Sequence, residues 1–152
     1  MFWACFSYLK LGPIVSLQGS ITGEVYKGIL EEYAIPTLKA FARQSKRKFI
    51  FQEDNAPVHT AKVARNFLLS QNIEVLKWPP QSPDLNPIEN LWDHLDCQVQ
   101  KRKPPSKSKQ ELINVVQEEW RNISFETLHD LILSLPNRVN AVIKAEGEHT
   151  KY

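Results

Sequence analysis

Four prolines fall between Trp78 and Ile88, at Pro79, Pro80, Pro83 and Pro87, and no strand or helix interior can run through such a stretch. Their fixed φ angles make the segment a stiff loop, so the chain beyond it must form a new element. That element reads as an amphipathic helix. Ile88, Leu91, Trp92, Leu95 and Val99 recur at i, i+3, i+4, i+7 and i+11, an apolar stripe with acids beside it. Asn86 suits the N-cap, Pro87 the first helical position and Glu89 the third, where a carboxylate completes a capping box and favours the positive helix end. For this segment by itself, capping is the simpler account of Glu89.

On the N-terminal side, two aromatic or β-branched runs at 2–9 and 14–18, separated by Lys10-Leu11-Gly12-Pro13, predict a hairpin. Val25, Tyr26, Ile29, Leu30, Tyr33, Leu38 and Phe41 then recur at spacings of three and four, which predicts a helix from Thr22 to about Ala42 that Pro36 bends or splits. A basic stretch, Arg43 to Lys48, leads into Phe49-Ile50-Phe51-Gln52-Glu53-Asp54, a short aromatic strand ending in acid. Asn55-Ala56-Pro57 turns the chain into a helix predicted over 59–70, and 73–78 reads as another strand. Beyond the proline loop and its helix, a basic segment broken by proline runs from Lys101, and helices are expected over about 109–120, 124–134 and 136–146. Strands, then strand and helix in alternation, then helices alone describe an α/β layer with a helical C-terminal cover.

Composition narrows the class without choosing the function. With 42% hydrophobic and 24% charged residues, the 152-residue chain has ordinary globular usage, which excludes wholesale disorder and a fibrous repeat. A net charge of +2 is too small to announce nucleic-acid binding. Cys5 and Cys97 match no zinc or redox spacing, so reduced thiols in an intracellular protein are expected. The apolar start lacks a basic leader region, and nothing approaches the roughly 20 apolar residues of a membrane span.

Asp54 is the second candidate for chemistry, at a strand end followed by Asn-Ala-Pro. Taken by itself, ordinary turn chemistry is the simpler account of it, since an aspartate side chain can bond nearby backbone amides. Considered together, FQEDNAPVHT around Asp54 and IEVLKWPPQSPDLNPIENLW through Glu89, with 34 residues between the two acids, resemble the catalytic domain of mariner-type, Tc-like DDE transposases. Trp3-Ala4-Cys5-Phe6-Ser7, Gly12-Pro13, the helix after Gly23 and the ending Thr150-Lys151-Tyr152 share in the resemblance, which therefore covers nearly the whole chain.

The resemblance implies an α/β fold with an RNase H-like mixed sheet flanked by helices and a helical C-terminal region. Residues 1–152 would form a single partial catalytic domain, with 1–100 as sheet and site region, 101–108 as a basic linker and 109–152 as C-terminal helices. Asp54 and Glu89 would be the second and third acids of a DDE triad that holds two Mg²⁺ or Mn²⁺ ions. Mg²⁺ suits such a site because it takes hard oxygen ligands and often needs only one or two carboxylates plus substrate phosphate. Two ions can activate the attacking oxygen and stabilise the leaving one at phosphorus, the chemistry of cutting and joining DNA.

In the family, the first aspartate lies on a central strand upstream of the segment matching Phe2–Ser7, and this chain begins after it. Glu24, Glu31 and Glu32, the only acids before Glu53, sit on the predicted first helix and offer no substitute. The expectation is a chain that lacks the first, central strand, binds Mg²⁺ or Mn²⁺ weakly or not at all, and is inactive alone. The alternatives are a non-catalytic nucleic-acid-binding or transposase-pairing module, or a functionless remnant. DNA is the implied partner, with self-association or pairing with an intact transposase beside it; no membrane is implied, and the implied location is nuclear. Lys46, Arg47, Lys48, Lys101, Arg102 and Lys103 are the candidate phosphate contacts or nuclear-localisation residues, with a merely solvated surface as the competing account. A sheet missing its central strand leaves backbone groups unpaired, so the isolated chain is expected not to melt as a cooperative monomer, which calorimetry checks.

Overall fold

A computed structural model describes residues 1–46, 48–80, 82–148 and 150. Arg47 of the first basic stretch, Gln81 of the proline loop and Lys151-Tyr152 of the ending therefore lie outside the described residues. The chain divides into two compact units, one made of Met1 with Leu17–Ser82, the other of Phe2–Ser16 with the chain from Pro83 onward.

In the first unit, Thr22 caps α1 (Gly23–Ile29) by accepting from the Val25 amide. A five-residue π turn, Leu30–Ala34, then joins α1 to α2 (Ile35–Ser45) without a break. Proline normally clashes with the carbonyl four residues before it. Here the preceding wide turn, closed by the Ile35 N–H on the Leu30 carbonyl, lets the helical path continue through Pro36. The extra residue in that turn also changes which side chains face inward. Ala34 and Ile35 are buried with Tyr26, Ile29, Leu30 and Phe41, while Val25 of the expected stripe is exposed.

Gly23 is required by close packing. A Cβ there would lie 2.6 Å from the Ala61 Cβ and 3.1 Å from a Val63 methyl, so α1 approaches α3 (Lys62–Ser70) more closely than any larger residue permits. The strands expected over 49–54 and 73–78 reduce to one parallel bridge between Phe51 and Val75. The Phe51 N–H donates to the Glu74 carbonyl and the Leu76 N–H to the Phe51 carbonyl, both at 2.8 Å. Parallel pairing is what a helical crossover such as α3 allows.

In the second unit, β1 (Phe2–Phe6) pairs antiparallel with β2 (Leu11–Ser16). The turn falls at Ser7–Lys10, earlier than expected, because the nearly buried Ser7 organises it. Its backbone N–H and hydroxyl both donate to the Lys10 carbonyl, and its Oγ accepts from the Leu9 and Lys10 amides. Gly12-Pro13 lies inside β2, beside the register shift between Ala4 and Phe6. A bulge is where a ladder tolerates a residue that cannot donate.

Asn86 caps α4 (Pro87–Lys101) as expected, its side chain accepting from the Ile88 amide. The helices α5 (Lys109–Asn122), α6 (Phe125–Leu133) and α7 (Leu135–Lys144) complete the unit. Leu91 and Leu95 of α4 are buried with Ala4, Val116, Trp120, Ile123 and Leu128, and Trp92 stacks on Trp120 at 5.8 Å. The Trp120 indole N–H donates to the Gly12 carbonyl at 2.9 Å, which fastens α5 to the bulged strand.

This packing has two measurable consequences. Leu91→Ala empties a fully buried position and should cost about 2–5 kcal/mol, read as faster hydrogen exchange of amides throughout the second unit. Burial pushes the Cys5 thiol up to about 12, whereas Cys97 is exposed. At about pH 8 an alkylating reagent should therefore label Cys97 well before the half-buried Cys5, and equal rates would contradict the raised Cys5 value.

Candidate functional site

Asp54 stands just after the Phe51–Val75 bridge, in the first unit. Its Oδ1 accepts from the Ala56 amide at 2.9 Å, the aspartate turn that its neighbours Asn55-Ala56-Pro57 favour. The His59 and Thr60 amides both donate to the Ala56 carbonyl, so His59 belongs to this turn and not to the helix, which starts at Lys62. That displacement from the expected start brings the His59 ring against the acid. Nδ1 lies 2.5 Å from Asp54 Oδ1, so an ionised Asp54 accepts from Nδ1–H whether the ring is neutral or charged. Both of these contacts fall on Oδ1, and about half of the Asp54 side chain is exposed, at 49%.

Behind His59 sits Tyr26 of α1, which is 2% exposed, with ring centroids 4.3 Å apart. The Tyr26 hydroxyl donates to Glu53 Oε2 at 2.5 Å. Burial holds the Glu53 carboxyl above its ordinary value of 4.5; the Tyr26 hydrogen bond and the His59 charge oppose this, and Asp54 adds to it. Two neighbouring acids thus meet different surroundings, one half-exposed beside a histidine, the other desolvated under a tyrosine. A half-open cavity of about 490 Å³ adjoins them, with Asn55, Arg65, Leu68 and Trp78 among its walls. Asn55 Nδ2 donates to the Trp78 carbonyl at 2.8 Å and ties the turn to the far side of that cavity.

Glu89 lies in the second unit, at the third position of α4, with its N–H on the Asn86 carbonyl at 3.2 Å. Its carboxylate is exposed at the positive end of a capped helix. Of the basic candidates, Lys46 ends α2 in a left-handed conformation, and Lys48 pairs with Glu74 at 2.7 Å. Lys101 closes α4, Arg102 pairs with Glu118 at 3.1 Å and with Glu119, and Lys103 comes next in the loop. Among the described residues, no three or more His, Cys, Asp or Glu side chains are grouped as metal ligands, and no helix is long and apolar enough to cross a membrane. Sequence reasoning missed Tyr26 and Glu53, since a core tyrosine and a strand glutamate carry no motif of their own.

Residues 15–113 match the family described as DDE superfamily endonuclease, a span that contains both Asp54 and Glu89. The chain belongs to that family. The chain is 37% identical over 153 aligned residues to the transposable element Tcb1 transposase of Caenorhabditis briggsae, covering 100% of itself and 54% of that protein. It spans about half the length of the relatives it matches. Its structure is similar to the Mos1 transposase catalytic domain determined with Raltegravir and Mg, with a TM-score of 0.86 and 22% identity over 97% of this chain and 75% of that one. It is also similar to a pre-cleavage Mos1 transpososome, with a TM-score of 0.82 and 23% identity over 97% of this chain and 44% of that one. The chain therefore has the RNase H-like fold of a DDE catalytic domain. Among the described residues its strand pairing consists of the two-stranded antiparallel hairpin in one unit and the isolated parallel Phe51–Val75 bridge in the other.

The Glu53 environment has a pH consequence. The folded chain holds the Glu53 proton more tightly than the unfolded chain, so this group's stabilising contribution is complete below about 4.5 and is lost as pH rises through its folded value. Glu53→Gln keeps an acceptor for Tyr26 but does not titrate. Between about pH 4 and pH 7 its denaturant stability should fall less than that of the parent chain; an equal fall would contradict the raised value.

Proposed function

We propose that this chain is the DNA-cutting and strand-joining part of a cut-and-paste transposase, in which Asp54 and Glu89 hold Mg²⁺ or Mn²⁺. The observation that carries the reading is the state of Asp54, which is half-exposed, with its turn and histidine contacts both on Oδ1. Both contacts leave Oδ2 as the oxygen to offer an ion. Glu89 supplies a second hard oxygen donor at a fixed helix start. Two carboxylates suit an ion whose remaining ligands are water and substrate phosphate. When bound, such ions polarise phosphoryl oxygens and lower the pKa of an attacking water or hydroxyl.

The residues present do the rest. His59 fixes the Asp54 carboxylate through Nδ1, and Tyr26 backs the ring, so the acid is held before DNA arrives. Asn86 and Pro87 set the start of α4 and with it the Glu89 backbone. Lys101 and Lys103 supply positive charge for phosphates, while Lys48 and Arg102 would have to exchange a carboxylate partner for a phosphate. The Mos1 complexes, which include a transpososome, support DNA as the partner.

The test is metal-dependent nicking by a protein that joins this chain to the upstream segment bearing the family's first aspartate. Asp54→Asn and Glu89→Gln should each lower nicking by more than about 100-fold, and His59→Ala by about 10- to 100-fold. Nicking that survives Asp54→Asn or Glu89→Gln would remove the assignment. Neutralising Lys101, Lys103 and Lys107 should weaken DNA retention and flatten its salt dependence by about one unit of log–log slope per lost contact, read from filter binding across a salt series.

A further inference from the structure

Arg138 on α7 is the only charged side chain buried among the described residues, at 3% exposure. Its Nε donates to Ser134 Oγ at 2.7 Å, and its Nη1 donates to the Asp84 carbonyl at 2.9 Å. Ser134 lies at the joint between α6 and α7, and its hydroxyl donates to the Leu131 carbonyl at 2.6 Å, which turns its lone pairs toward the guanidinium. Asp84 lies in the short 3₁₀ turn Pro83–Leu85 that leads into α4. Thr150 holds the same residue through its side chain, its hydroxyl donating to Asp84 Oδ2 at 2.9 Å.

The grip continues into α4 through successive backbone bonds. The Asn86 N–H donates to the Pro83 carbonyl at 2.8 Å, the Asn86 side chain accepts from the Ile88 amide, and the Glu89 N–H donates to the Asn86 carbonyl. Pro83 and Pro87 remove two φ rotations from this path. Glu89 therefore stands five positions after Asp84 with little slack between them.

We propose that Arg138 is a positioning residue for Glu89: it fixes the Asp84 carbonyl to the joint between α6 and α7 and so sets where α4 begins. The C-terminal helices are then part of the framework of the site as well as a cover for the hairpin. A buried guanidinium is costly to desolvate and an apolar side chain of similar size often packs as well, so packing alone does not account for arginine here. Its planar fork, which reaches a hydroxyl and a carbonyl in fixed directions, does. The proposal rests on the reading of Glu89 as a metal-holding acid.

The test uses the full chain and two readouts, site-resolved amide hydrogen exchange and Mn²⁺ affinity from the paramagnetic resonance of the free ion. Arg138→Met should speed exchange at the Asn86 and Glu89 amides by about tenfold, while the core amides Val116 and Trp120 change by less than about threefold. Mn²⁺ affinity should fall by about tenfold. Arg138→Lys, with one compact donor, should recover part of both effects. Unchanged exchange at Asn86 and Glu89, or equal acceleration throughout the second unit, overturns the proposal. If Arg138→Met does not fold, Ser134→Ala keeps the guanidinium but removes its Nε acceptor, along with the hydroxyl bond to Leu131, and should speed the same two amides; no change there overturns it too. Glu89→Gln separates the two ideas. Unaltered Mn²⁺ affinity in that variant would sink the metal reading of Glu89 and leave the exchange result standing. Weakened affinity in Glu89→Gln with neither readout moved by Arg138→Met would sink the positioning role alone.

Discussion

The second unit depends on how the chain enters α4. A helix start exposes backbone amides that need acceptors, and a loop entering it contributes carbonyls that need donors. Asn86 answers the first need, and Arg138, with the Asn86 N–H itself, answers the second. Once the entry is fixed, the direction of α4 is fixed too, and its buried face can meet Ala4 of the hairpin, Trp120 of α5 and Leu128 of α6 in one core. Slippage of the entry by one residue would turn Leu91 and Leu95 away from that core by about 100°. The same entry places Glu89 in the first turn of the helix, so the constraint that builds the core also locates the acid.

In the first unit, close approach does comparable work. Gly23 lets α1 lie against the start of α3, and α1 brings Tyr26 under the turn that carries Asp54 and His59. The Tyr26 hydroxyl holds Glu53 in a desolvated setting, while its ring supports the imidazole that contacts Asp54. Adjacent acids in the chain thereby acquire different electrostatic surroundings. One faces the helix and the other the turn.

Much of the candidate site was legible because its signals are local. The cap at Asn86, the proline at the first helical position and the apolar stripe of α4 are written within a few residues of one another, and the structure forms each of them. The aspartate turn at Asp54 is equally local. Other elements ended elsewhere than hydrophobic periodicity alone predicts. The hairpin turn moved to Ser7–Lys10 because a buried serine satisfies it, and the π turn before Pro36 kept one helical path where a bend or split was expected. The strands at Phe51 and Val75 shrank to a bridge because a strand's length is set by its neighbours, and periodicity alone cannot count them.

The sequence by itself determined the two acids and the 34 residues between them, the capped helix that carries one and the turn that carries the other, and through these the family. It could do so because caps, turns and proline loops are short-range chemistry, decided by residues within one helical turn. Only the tertiary structure decided that His59 leaves its helix to contact Asp54, that Tyr26 supports it, and that Arg138 reaches 54 residues back to hold the Asp84 carbonyl. The Tyr26 and Arg138 contacts join segments whose separation in sequence carries no signal, and His59, only five residues from Asp54, meets it because the turn displaces the helix start and Tyr26 packs behind the ring.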